Sequence, residues 1–194
     1  MNTARLSTLS VLAITLGLAA TASRAADTYS LDPVHSSFIF KIKHMNVSNL
    51  YGRINGGTGT LVIDDADPTK STIEIELKPE NIDTFNDKRD QHLKGPDFFN
   101  AKQFPTITFK SKAVKKVDDS TLEVTGDFTL LGVAKEVTGK FTKIGAAKDP
   151  WGGFRTGYEG ALTIKRSDFG MKQMLEAVGD DVPITVSIEA VKNK

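Results

Sequence analysis

The sequence predicts an all-β protein, a closed antiparallel barrel of eight strands with one short helical excursion. Three observations carry this. Beyond residue 35, apolar and polar residues alternate with a period of two in run after run. Several of these runs reach about ten residues, where strands usually span about five or six. Most are joined by short turns, and closure into an up-and-down barrel leaves no edge strand exposed. One stretch breaks the pattern, Asp83 to Phe109 (DTFNDKRDQHLKGPDFFNAKQFPTITF), and the rest of the chain is organised around it.

The strands follow in order. Ser36, Phe38, Phe40, Ile42 and His44 share one face of the first, with Lys41 and Lys43 on the other. His44 therefore has the parity of the two phenylalanines. The second strand spans Tyr51 to Ile63, and its Gly56-Gly57-Thr58-Gly59 run reads as a bulge or sharp bend. Asp64 to Lys70 is a turn. Ile73, Ile75 and Leu77 alternate with Glu74 and Glu76 in the third. In the excursion, Asp87 is the expected N-cap of a helix over Lys88 to Lys94, and Gly95 closes it.

The fourth strand holds Ile107, Phe109 and Ser111; the fifth holds Leu122, Val124, Gly126, Phe128 and Leu130. Leu131-Gly132-Val133 makes a hairpin-like corner. Val137, Gly139 and Phe141 face inward in the sixth, and Tyr158, Leu162 and Ile164 in the seventh. Between these two lies GAAKDPWGG, which carries the only tryptophan, Trp151. Ser167 to Val178 is a short helix or irregular crossing. The last strand sets Val182, Ile184, Val186, Ile188 and Ala190 against Thr185, Ser187 and Glu189. The outer face of such a barrel is Lys, Glu and Thr. An outer-membrane barrel would turn its apolar face outward, so a soluble barrel fits better.

Residues 1–25 read as a removable signal peptide, with an apolar run from Leu6 to Ala22 and small residues at Ser23 and Ala25, so cleavage is expected after Ala25. Residues 26–194 then form one barrel domain of a periplasmic protein without a membrane span. The chain of 194 residues has a formal charge of +1. Near-neutrality argues against a nucleic-acid partner. With no cysteine there is no disulfide, no thiolate chemistry and no lipoprotein anchor.

Arg89, His92 and Leu93 fall at i, i+3 and i+4, hence on one face of the helix, as in a lid that looks into a pocket. The alternative is that Leu93 docks the helix while the other two bond to nearby backbone or carboxylates. The glycine run lacks the Lys-Ser or Lys-Thr and the helix of a phosphate loop. Asp64, Asp65 and Asp67 lack calcium-loop spacing. The three histidines, His35, His44 and His92, show no metal-ligand spacing, so no metal or other cofactor is expected. No nucleophile elbow or triad is recognisable, and no catalytic residue is assigned.

The segments TFNDKRDQHLKGPDFFNAKQFPTITFKS, VTGDFTLLGVAKEVTGKF and DPWGGFRTGYEGALTIKRSDFGM resemble the YceI-like family of bacterial periplasmic proteins, and the opening YSLDPVHSSFIFKIKHMNVSNLYGRINGGTGTLVID does too. The resemblance implies a lipocalin-like eight-stranded barrel that binds a polyisoprenoid or related amphiphilic lipid in a central tunnel. It also admits a homodimer, which no residue here demonstrates.

Such a ligand needs an apolar wall for its tail, for which Phe38, Phe40, Ile42, Phe98, Phe99, Phe109, Phe128, Leu130 and Phe141 are the candidates. Phe98 and Phe99 are adjacent and would face opposite ways in regular structure. The headgroup needs donors at the mouth, supplied by Arg89, His92 and His44, which match recurrent family positions; Arg155 and Arg166 are weaker candidates, Arg166 being expected to pair with Asp168. Two other readings stand beside this one. A solidly packed barrel would be an interaction module with Trp151 as its contact. An enzyme acting on a quinone or lipid would use His44 and His92.

Overall fold

The structure, a computed structural model, describes residues 26–194. The signal-peptide reading of residues 1–25 lies outside them. In chain order the strand segments are β1 (Asp27–Leu31), β2 (Ser37–His44), β3 (Ser48–Ile54), β4 (Thr58–Ile63), β5 (Thr72–Leu77) and β6 (Ile82–Asp83). The helix α1 (Asp87–Lys94) follows. Then come β7 (Ile107–Lys116), β8 (Thr121–Leu130), β9 (Val133–Lys148), β10 (Phe154–Lys165) and β11 (Asp181–Lys192).

These eleven segments make eight barrel strands. β1 and β2 lie in succession along one edge of β11: Leu31 faces Ala190, then Phe38 faces Val186. β3 and β4 return along them, and β6 and β5 continue the series on the next edge. From β7 to β11 each strand is unbroken between turns and pairs antiparallel with the next. The β1–β11 pairing closes the ring. The expected barrel is therefore the observed one, with a first strand that begins nearer the N-terminus than Ser36. Tyr29 and Leu31 are buried on β1.

The interruptions have local causes. At Asp32–Ser36 the chain leaves the ladder, and Glu189 spans the gap: its carbonyl accepts from the Asp32 N–H at 2.8 Å and its N–H donates to the Ser36 hydroxyl at 3.1 Å. At the glycine run, Gly56 adopts φ +70°, and a Cβ on Gly57 would stand 2.5 Å from Phe38 Cε2 and 2.7 Å from Leu77 Cδ2. The β8–β9 corner is a two-residue turn in which Leu131 and Gly132 both take positive φ, 53° and 73°, the twist that antiparallel hairpins favour.

Alternation sorts the side chains as expected. In β5, Ile73 and Leu77 are buried while Glu74 and Glu76 are exposed. One end of the barrel collects the irregular elements: the β2–β3 hairpin tip, α1, and the crossing between β10 and β11. His44 bridges to Val178, the Met45 N–H donates to the Ala177 carbonyl at 2.6 Å, and Gly179 N–H donates to the Lys43 carbonyl at 2.8 Å. The crossing opens with a 3₁₀ turn, Arg166–Phe169, and Gly170 follows at φ +86°.

Two local expectations are corrected. The N-cap of α1 is Asn86, whose Oδ1 accepts the Arg89 N–H at 3.0 Å, and Asp87 is the first helical residue. Both are good capping types, so composition alone does not separate them. Arg166 does not pair with Asp168, which is exposed. Residues two apart in a tight helical turn point to different sides, and Arg166 turns inward instead.

Candidate functional site

Side chains do not fill the barrel. A cavity of about 320 Å³ runs through its interior and is lined almost wholly by apolar groups. All nine residues expected at the tail wall lie on it. Phe98 and Phe99 both do, because they sit in a turn rather than a strand: the Phe98 N–H donates to the Gly95 carbonyl at 3.2 Å and the Phe99 N–H to the Leu93 carbonyl at 2.9 Å. Phe128 meets Phe169 edge-on at 5.6 Å, so its ring is held from the side.

Much of the deeper wall is aliphatic and was not singled out from sequence. Leu61, Ile73, Val124, Ile164 and Ile188 line it and are buried. Their strand parity was the available signal. Met171, Met174 and Val178 also line it, but they lie in the irregular crossing, where no periodicity marks them. At depth Tyr158 adds a phenol whose pKa is raised by burial.

The three expected headgroup residues, Arg89, His92 and His44, border the same cavity. Arg89 is half-buried and held in a fixed pose by Thr84: its Nε donates to Thr84 Oγ1 at 2.8 Å and its Nη2 to the Thr84 carbonyl at 2.6 Å. Thr84 in turn donates, through both its N–H (3.0 Å) and its hydroxyl, to the buried Asp90 carboxylate. Nη1 of Arg89 has no hydrogen-bond partner among the described residues. His92 stands at the rim with its side chain 56% exposed, so the cavity meets solvent there. Its Nε2 lies 3.3 Å from Asp97 Oδ2, and its ring packs edge-on against Phe98 at 5.1 Å.

The weaker candidates separate. Arg166 lines the cavity at 2% exposure, but its donors are occupied by backbone. Nε donates to Gly179 O, Nη1 to Met171 O and Gln173 O, and Nη2 to Val178 O, at 2.7 to 3.1 Å. Burial lowers its pKa, and the nearby Asp180 charge opposes that. Arg155 is not on the cavity wall. It bonds Asp32 at 2.7 Å, Glu189 at 2.5 Å and Asp149 at 3.1 Å. Asp32, His35 and Glu189 are near enough to share an ion among the described residues, but the Arg155 guanidinium already stands against both carboxylates.

This geometry defines a β-barrel with a long apolar interior and nitrogen donors at its mouth. A YceI-like domain matches residues 29–190, and the chain belongs to that family. A "UPF0312 protein" of Pseudomonas aeruginosa is 38% identical over 187 residues, covering 95% of this chain and 97% of that one. The crystal structure of the Campylobacter jejuni YCEI protein superposes with a TM-score of 0.71 at 30% identity, over 78% of this chain and 90% of the other. A Saccharophagus degradans domain, described as a polyisoprenoid binding domain implicated in plant cell wall breakdown, shares the fold with a TM-score of 0.68 at 15% identity, over 85% of this chain and 98% of that domain.

Proposed function

We propose that this protein is a periplasmic binding or carrier protein that holds a long-chain polyisoprenoid, or a related amphiphilic lipid, in its barrel. The observation that carries the reading is the interior cavity of about 320 Å³ with its apolar wall. At ~24 cal/mol per Å³, leaving that volume without side chains forgoes about 8 kcal/mol of packing. A fold with no use for the space would gain by filling it. A tail burying several hundred Å² gains on the order of 10 kcal/mol before binding costs.

In this reading Phe38, Phe40, Ile42, Phe98, Phe99, Phe109, Phe128, Leu130 and Phe141 contact the tail. The free edge of Arg89 takes an anionic oxygen of the headgroup, and His92 and His44 flank it. Arginine suits that role because its planar fork carries a permanent charge. The near-continuous apolar wall with donors gathered at one end supports binding of an amphiphile. The N-terminal run Leu6 to Ala22 and the Ser23-Arg24-Ala25 signature support export in this reading.

Native mass spectrometry of protein purified from the periplasm, with organic extraction of the bound material, tests the reading. The expected result is a stoichiometric long-chain adduct. A lipid-free mass that persists after addition of an isoprenoid diphosphate and of a quinone would overturn it.

A further inference from the structure

Four apolar side chains project into solvent beside the mouth: Met45 and Val47 on the β2–β3 tip, and Met174 and Leu175 on the crossing. Val47 is 83% exposed and Met45 60%. They sit on two segments bonded together, through Met45 N–H to Ala177 O and Gly179 N–H to Lys43 O. Met45, Asn46 and Met174 all take positive φ, near 50°, so these tips are tight turns that thrust their side chains outward. Met174 also lines the cavity, so the exposed patch is continuous with the interior wall.

Charge accompanies the patch. The hairpin tip, residues 41–51, contains Lys41 and Lys43 and no carboxylate; the crossing, residues 166–180, adds Lys172 against Asp168, Glu176 and Asp180, the last of which is bonded to Ser167. None of these lysines is in an ion pair among the described residues. Across the mouth the helix is mixed, with Asp87 and Lys88 both exposed.

We propose that this rim is a docking surface for an anionic lipid bilayer. The inference rests on the carrier reading: a chain that moves between bilayer and barrel avoids water only if the mouth meets the interface. A stable protein partner needs about 800 Å² on each side, more than four side chains at two turn tips offer. A bilayer needs only a few apolar side chains in its headgroup region, with lysines above them.

Flotation with full-length mature protein tests this, using vesicles of phosphatidylcholine containing phosphatidylglycerol against vesicles of phosphatidylcholine alone. The wild type is expected to float with the anionic vesicles. Val47→Asp and Leu175→Asp, which are not on the cavity wall, are expected to weaken flotation about tenfold. Lys43→Glu should weaken it about fivefold and abolish the preference for anionic vesicles. Each variant should keep the wild-type adduct in native mass spectrometry, which shows that it is folded and loaded. Wild type that carries the chain but does not float would overturn the docking proposal and leave the carrier reading intact. Equal flotation by the Asp variants would overturn it too. Patch-dependent flotation without any adduct would keep docking and remove the carrier role.

Discussion

Nη1 of Arg166 donates to the Gln173 carbonyl at 2.7 Å, across the width of the crossing that roofs the barrel. With its bonds to Met171, Val178 and Gly179, the same guanidinium gathers a segment that has no regular structure of its own. Arg166→Met leaves four carbonyls without that donor and is expected to cost about 3 kcal/mol or more. Arg166→Lys should recover little, because a lysine point charge cannot span four carbonyls. Urea unfolding of the two variants checks this. A loss below about 0.5 kcal/mol, the range of an ordinary surface change, would mean that the crossing is held by other contacts.

Thr84 decides how Arg89 points. Thr84→Val removes the acceptor of Arg89 Nε and one donor to buried Asp90. The expected destabilisation is about 1–3 kcal/mol. Arg89→Gln acts on the ligand instead. It should weaken binding of an isoprenoid phosphate about tenfold, the loss of one charge-assisted hydrogen bond. Binding of the uncharged isoprenol of equal length should not change. Parallel titrations with both ligands read out the difference.

Filling the interior separates binding from folding. Val124 is buried on β8 and lines the cavity. Val124→Phe adds volume where there is room for it. Stability should stay within about 1.5 kcal/mol of wild type, while the long-chain adduct falls at least tenfold. If the adduct is retained, the ligand lies elsewhere.

The break in the ladder at Asp32–Ser36 gives the protein an acid-sensitive seam. The Asp32 carboxyl is held well below the ordinary carboxylate range, by its bond to His35 first and by Arg155 as well, against the opposing effect of burial. Asp149 is lowered in the same direction, by the Gly153 N–H first and also by Arg155. Carboxyls more acidic in the folded state contribute stability that is present above their unfolded value, about 3.9, and is lost as pH falls through the folded value. The melting temperature should therefore drop from about pH 5 downward, and Asp32→Asn should flatten that slope. Ligand binding should not change, since Asp32 is not on the cavity wall. An unaltered slope in the variant would place the acid sensitivity in other carboxylates.

The barrel was legible because alternation is a direct record of which side of a strand faces the interior. Phe38, Ile73, Val124 and Ile188 each fall on the face their parity gives. What parity cannot show is where a ladder pauses. The pauses at Asp32–Ser36 and before Thr58 divide strands that read as continuous, or hide a segment such as β1 altogether. The site was legible where it sits on regular structure, as with Arg89, His92 and Leu93 on α1. It was not legible in turns. Phe98 and Phe99 face the same cavity only because the chain folds back after Gly95, and Arg166 ignores Asp168 because four carbonyls surround it.

The barrel wall is not all of one kind. β6 bonds only to β3, and β7 begins at Ile107 against Leu77, so between them the wall is α1 and residues 95–106, closed by Leu93, Phe98 and Phe99. No interstrand hydrogen bond crosses that stretch. It can part while every ladder stays intact. In deuterium exchange the amides of α1 should label quickly and at a rate insensitive to mild denaturant, while those of β8 to β10 wait for global unfolding. A bound chain pressed against Phe98 and Phe99 should slow the first set and leave the second almost untouched, so occupancy becomes readable from the labelling of a single helix.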